Sequence, residues 1–382
     1  MMPRVPVQRW GRERTRLDRI EAASPGDRSE KVQGERTAVT IWSIHYLRAV
    51  AALGVVIFHC LDGTGWSFTF GAGGIHLFFT ISGFLMWSIA EGRPRTPRAF
   101  LKDRIVRIVP LYWIATFVAV LSTFLFPGYF WQATREPLIV AKSLFFIPQI
   151  GLEGGIYPVL YQGWTLQYEM FFYAVFTICL LFPRALRIPI LSTILITLVV
   201  AGIGLAPTGP VLRTYTDPIC IEFLAGVLVA RLACFPLRPR TALALSVVGW
   251  VTFIGSYKFE KALYFWSDLI IPLSTGSIVL GMVMLERSGR MVHWRWLRFT
   301  GEASYSIYLF QTLGFAIAAT LFPDMPALVQ VIIYTAAALA MGVLTFMFIE
   351  RPMIKLMKGR YAVAVASAWR FRADSYLARS RP

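Results

Sequence analysis

Apolar residues in this chain gather into runs of about 20, separated by short stretches of charged residues, glycine and proline. An α-helix of that length rises about 30 Å, which matches the hydrocarbon thickness of a bilayer. The pattern predicts ten helical spans, at 41–61, 70–90, 106–126, 163–183, 188–206, 216–235, 240–257, 266–285, 302–322 and 327–349. Polar residues within each run are too sparse to build the second face that a helix on the surface of a soluble domain needs. Residues 1–40 hold no apolar run and are expected to form a disordered tail, and 353–382 a second, basic tail. A shorter apolar stretch, Leu138 to Ile150, cannot span and is expected to lie at the interface or re-enter the membrane.

Charge gives the spans a direction. Basic residues crowd the loops at 91–105 (Arg93, Arg95, Arg98, Lys102, Arg104), 183–188, 231–240 and 286–301 (Arg287, Arg290, Arg295, Arg298), and the C-terminal tail. The alternate loops carry little net charge: Asp62, then Arg135 with Glu136, then Lys258, Glu260 and Lys261, then Asp324. An even number of spans with both termini cytoplasmic satisfies each of these asymmetries. The expected fold class is all-α, a polytopic membrane helix bundle. Composition agrees, with 56% hydrophobic and 15% charged residues against about 25% charged in soluble domains. A net charge of +17 would suit a nucleic-acid binder, but its alternation from loop to loop is that of a membrane protein, so no nucleic acid is expected. Cys60, Cys179, Cys220 and Cys234 lie in or beside apolar runs without a CxxC pair, which predicts neither a disulfide framework nor a metal site. Gly-rich phosphate loops and the HExxH and GxSxG motifs are missing from the sequence.

Ionisable residues inside spans are the candidates for chemistry, because hydrocarbon penalises them unless they face a cavity or a partner. The first span carries His45, Arg48 and His59. At about 100° per residue, the steps from Arg48 to His59 turn the helix through almost three full circles, so the two share a face roughly 16 Å apart. His59 suits a general base for a hydroxyl, or else is a satisfied core histidine. Arg48 could equally anchor the span at the interface. In the fourth span Thr165, Glu169 and Tyr173 form a polar stripe, with Glu169 near the depth of His59 and able to orient its imidazole or bind a hydroxyl. Asp62, Asp217, Glu222 and Asp268 fall at outer helix ends, compatible with a carbohydrate site. On the inner side Arg104 and Arg107 share a face, where their guanidinium forks could hold phosphates or simply anchor the helix. Tyr305, Tyr308, Gln311 and Thr312 run along one side of the ninth span, as a channel lining or as links to neighbouring helices.

At these same residues the chain resembles the membrane-bound acyltransferase 3 family over roughly 41–352. The motifs LRAVAALGVVIFH, GGIHLFFTISGFLMW, FLKDRIVRIVPLYW, WTLQYEMFFY, GEASYSIYLFQ and FIERP stand in the family's order. The form of WTLQYEMFFY is similar to its exopolysaccharide-production branch. The resemblance implies a multi-pass enzyme of a bacterial inner membrane that moves an acetyl or other small acyl group from acyl-CoA to a hydroxyl of a cell-surface carbohydrate or lipid-linked glycan. Acyl-CoA would be a co-substrate, with no resident cofactor, and polysaccharide assembly proteins are candidate partners. It implies His59 as the catalytic base or acyl-handling residue with Glu169 beside it, Arg48, Arg104 and Arg107 on the CoA side, and Tyr305 and Tyr308 in the ninth-span signature. Two positions depart from the pattern. His76 stands where relatives usually carry Asp, and Gln311 where many carry His, so no acid/base role is assigned to Gln311. The main rival is a transporter or flippase for a glycan, its charges lining a translocation path.

Overall fold

The computed structural model describes residues 39–61, 68–92, 96–126, 130, 133–152, 154–259, 263, 266–358 and 370–371. Most of both expected tails, together with Asp62, Arg93, Arg95, Glu260 and Lys261, lies outside the described residues. The helices are α1 (Trp42–Leu61), α2 (Thr69–Ala72), α3 (Gly74–Gly92), α4 (Pro97–Leu125), α5 (Pro137–Leu144), α6 (Gly163–Cys179) and α7 (Arg184–Leu205). They continue with α8 (Pro210–Tyr215), α9 (Cys220–Leu232), α10 (Pro239–Lys258), α11 (Ser267–Arg287), α12 (Arg295–Leu321), α13 (Ala327–Thr345) and α14 (Arg351–Lys358). A π-helical turn, Phe346–Glu350, joins the last two. Two two-residue strands, β1 (Val39–Thr40) and β2 (Arg370–Phe371), pair antiparallel.

Every expected span falls on a helix, but length and composition qualify only seven described stretches to cross a bilayer: α1, α2 with α3, α4, α7, α11, α12, and α13 with its continuation. The expectation of ten is therefore not met on that measure. With 17 and 13 residues, α6 and α9 are shorter than a full crossing. At 20 residues α10 is long enough, and fails on composition.

The helices divide into an inner and an outer set. In the α2–α3 stretch 72% of the apolar window is buried within the protein, against 17% in α7, whose side chains are left for lipid. The inner set packs at backbone contact, through small residues. A Cβ on Gly301 of α12 would lie 2.0 Å from the His45 carbonyl oxygen of α1. A Cβ on Gly83 would meet the Phe223 carbonyl oxygen, and one on Gly226 that of Thr80, each at 2.0 Å, which locks α3 to α9.

The start of α1 is held by a neighbour rather than by its own cap. The Glu286 carboxylate of α11 accepts from the Trp42 and Ser43 backbone N–H groups at 2.7 and 2.8 Å and from Ser43 Oγ at 2.6 Å. A carboxylate on the orphan donors of a helix N-terminus satisfies them and complements the helix dipole. The Leu138–Ile150 stretch gives the short helix α5 and then leaves helical geometry, with Phe146 at φ 59°. It folds back onto α4: Tyr112 donates to the Ser143 carbonyl at 3.2 Å, and Trp113 Nε1 to the Leu144 carbonyl at 2.9 Å.

Candidate active site

A cavity opens between α1, α3, α4, α6 and α12, with about 810 Å³ of empty space counting its open mouth. Along α3 its lining runs from Ile75 to Ile89, a distance of roughly 21 Å at the helical rise. One end is basic, where α3 finishes and α4 and α12 begin. The opposite end is where α3 begins and α1 finishes.

Of the seven residues to which the family resemblance gives roles, six meet here, Arg48, Arg104, Arg107, Glu169, Tyr305 and Tyr308, together with Thr165 and Tyr173 of the polar stripe. Arg104 and Arg107 come from consecutive turns of α4, whose start is fixed by Pro97 and by Thr96 Oγ1 accepting from Ala99 N–H at 3.2 Å. Arg104 is buried, at 4% exposure. Arg48 donates from Nε and Nη2 to Ser304 Oγ at 3.0 and 2.7 Å, and from Nε to the Gly301 carbonyl at 3.2 Å. The close approach at Gly301 is what brings that carbonyl and hydroxyl within its reach. Glu169 accepts from Ser82 Oγ at 3.1 Å and from the Tyr173 hydroxyl. Tyr305 donates to the Ile108 carbonyl at 2.9 Å, tying α12 to the arginine turns of α4. Tyr308 donates to the Gln162 carbonyl and accepts from Thr165 Oγ1, both at 3.1 Å.

The lining thus holds three guanidinium groups against one carboxylate. Charge withdrawn from water is costly unless balanced, so this excess of positive charge favours an anionic occupant. A second acid stands behind the wall: Glu350, on the π-helical turn, is 2% exposed, accepts from Ser306 Oγ at 2.5 Å and acts electrostatically on Arg48 and Arg107. The sequence reading passed over Glu350, Ser82 and Ser304. The FIERP motif carries Glu350, but nothing local in it shows that the chain returns to α1 and α4.

His59 does not line the cavity. It is half-buried near the end of α1, with its ring edge-on to Phe58 at 5.1 Å. Gly74, at the start of α3, abuts Ala51 and Val55 of α1, so the end of the lining at Ile75 is level with those residues. His59 stands one to two turns further along, roughly 6–12 Å in helical rise. Gln311 is fully buried and turns to its own helix, donating to the Tyr308 carbonyl at 3.1 Å, and so falls outside the lining. Thr312 accepts from Gln162 instead of facing the space. His76 pairs with Glu222 of α9, Nδ1 to Oε1 at 2.5 Å.

Residues 41–347 match the model of the acyltransferase domain family. The chain is 36% identical over 319 residues to the exopolysaccharide production protein ExoZ of Rhizobium meliloti (strain 1021), covering 81% of this chain and 98% of that one. It is 23% identical over 351 residues to the peptidoglycan O-acetyltransferase OatA of Listeria monocytogenes serovar 1/2a, covering 82% of this chain and 56% of that one. No solved structure matches the chain.

Proposed function

The chain belongs to the acyltransferase domain family, and from that premise we propose that it O-acylates a cell-surface carbohydrate or lipid-linked glycan, with cytoplasmic acyl-CoA as donor. It is a multi-pass membrane protein, and the membrane is a bacterial inner membrane with the basic end of the bundle cytoplasmic. All ten helical runs cross it, including the short α6 and α9, which pack against their neighbours in the bundle. Both termini are then cytoplasmic. The names of the two relatives supply the carbohydrate class and the acetyl group.

The observation that carries the reading is the convergence of Arg48, Arg104, Arg107, Glu169, Tyr305 and Tyr308 on one long cavity that opens between five helices. Arg104 and Arg107 hold CoA phosphates at the basic end. The pantetheine arm passes the hydroxyls of Tyr305 and Tyr308, and Arg48 carries negative charge along the route. At the far end His59 takes the proton of an acceptor hydroxyl. The hydroxyl oxygen bonds to the acyl carbon, the carbon–sulfur bond breaks, and the CoA thiolate leaves and is protonated. Glu169, which accepts from Ser82 and Tyr173 within the cavity, balances part of the guanidinium charge along that route. No metal is needed for this chemistry, and assembly proteins of the polysaccharide deliver the acceptor.

Purified protein in vesicles, given acetyl-CoA labelled in the acetyl group and the host cell's polysaccharide stripped of acyl groups by mild alkali, should transfer label to the polysaccharide. Movement of glycan across the vesicle wall without transfer would establish the flippase reading instead.

A further inference from the structure

Beyond the cavity, at the end away from the arginines, lies a second polar constellation that the donor route leaves unused. We propose that His76 and Glu222, with Asp217 and Asp268, form the subsite that binds hydroxyls of the carbohydrate acceptor. The proposal deepens the reading above and rests on it.

Four elements reach the same end of the bundle there: α3, α9 and α11 begin, and α10 finishes. His76 sits in the first turn of α3 and Glu222 in the first turn of α9, and the glycine contacts between those helices hold the two side chains face to face. Glu222 is 3% exposed, and its second oxygen, Oε2, has no hydrogen-bond partner among the described residues. A buried carboxylate oxygen without a donor is rare in folded proteins and points to a donor supplied by a ligand. With Nδ1 of His76 engaged by Oε1, its Nε2 is directed elsewhere, and the side chain keeps 22% of its surface open. Nε2 of the neutral ring accepts from a hydroxyl, and Nε2–H of the protonated ring donates to one, so either form can engage a polyol.

Glu222 Oε2 accepts hydrogen bonds, and its neighbours are of the same kind. The carboxylates of Asp217, half-buried in the turn before α9, and Asp268, exposed at the start of α11, act electrostatically on the pair. Arg213 is close to Asp217, and the Tyr257 ring lies 6.4 Å from the His76 ring. Three carboxylates against one guanidinium repel a phosphate, and among the described residues the acids are too dispersed to chelate one metal ion. A row of acceptors beside an aromatic ring suits a polyhydroxylated, uncharged ligand.

Position completes the case. Phe79 lines the cavity from one face of α3 and packs on Phe223, the neighbour of Glu222, at 4.8 Å and on Tyr168 at 6.0 Å. A single aromatic layer therefore separates the arginine-lined cavity from the acid cluster, and Ile75, next to His76, closes the cavity at that level.

The test is steady-state transfer from acetyl-CoA to the alkali-stripped host polysaccharide by the full-length protein in vesicles. Glu222→Gln should raise the KM for polysaccharide about tenfold, as expected for loss of a charged hydrogen bond, with the KM for acetyl-CoA within twofold of wild type. Asp268→Asn, at an exposed position that cannot threaten folding, should raise the polysaccharide KM about threefold with the same asymmetry. If both variants leave the polysaccharide KM unchanged, or move both KM values together, the subsite is overturned and His76–Glu222 is a clamp between α3 and α9. Absence of transfer by the wild-type protein would instead overturn the function on which the subsite rests.

Discussion

The two ends of this bundle handle buried charge in opposite ways. At the basic end three arginines converge on one space from α1 and α4, with Glu169 inside it and Glu350 behind it. At the other end carboxylates gather round one histidine, and among the described residues one carboxylate oxygen has no donor. A site for a polyanion and a site for a neutral polyol call for these two chemistries, and Phe79 stands between them. His59 belongs to neither lining, although it shares its helix with Arg48. A transfer point between the two ends is therefore reached by movement of substrate or of the aromatic layer, and not along an open channel from Arg48 to His59.

The largest expected effect tests that point directly. His59→Ala should lower acyl transfer by 10²–10⁴-fold, about the contribution of a general base, while the protein still inserts and reconstitutes. The measurement is transfer of labelled acetyl to polysaccharide at saturating donor and acceptor. Transfer within a fewfold of wild type would remove His59 from the chemistry and leave the proton acceptor to be sought at the His76–Glu222 end.

An intermediate effect is expected at the basic end. Arg104→Gln removes a buried fork that a phosphate can occupy bidentately, so the KM for acetyl-CoA should rise roughly 10–100-fold. Acetyl pantetheine, which lacks the nucleotide, should by contrast be used equally well by wild type and variant. If the variant loses both donors alike, Arg104 acts as a structural buried charge rather than as a phosphate ligand.

What could be read in the sequence follows from the range of the forces involved. Apolar runs and loop charges are local, so the helix under each expected span, and the shared face of Arg104 and Arg107, was visible from spacing alone. Whether a helix crosses is a matter of length and context, and α6 and α9, at 17 and 13 residues, fall short of a full crossing on length alone. Pairings between distant residues leave no local trace. Arg48 meets Ser304 across 256 positions and His76 meets Glu222 across 146. His76 was visible only as a departure from the acid that the resemblance leads one to expect, and its partner gives it a reason: a histidine opposite Glu222 gains a hydrogen bond where an aspartate would be repelled. Of the four residues placed along one side of the ninth span, Tyr305 and Tyr308 line the cavity, Thr312 accepts from Gln162, and Gln311, about 120° round the helix from Tyr305, turns to its own helix.

The smallest effect discriminates most finely between one site and two. Tyr305 presents its ring to the cavity while its hydroxyl donates to the Ile108 carbonyl, one residue beyond Arg107. Tyr305→Phe keeps the ring and deletes that bond, worth about 0.5–1.5 kcal/mol net, so the turn bearing the arginines loosens without a cavity being created. The KM for acetyl-CoA should then rise about threefold. The KM for polysaccharide should stay put, because Phe79 and its partners stand between this turn and the acid cluster. Paired with Asp268→Asn in a double variant, the two small effects should multiply, each on its own substrate, as perturbations at separate sites do. A polysaccharide KM that climbs with the donor KM in Tyr305→Phe alone would mean that donor and acceptor share one continuous site, and the division of the bundle into two ends would have to be abandoned.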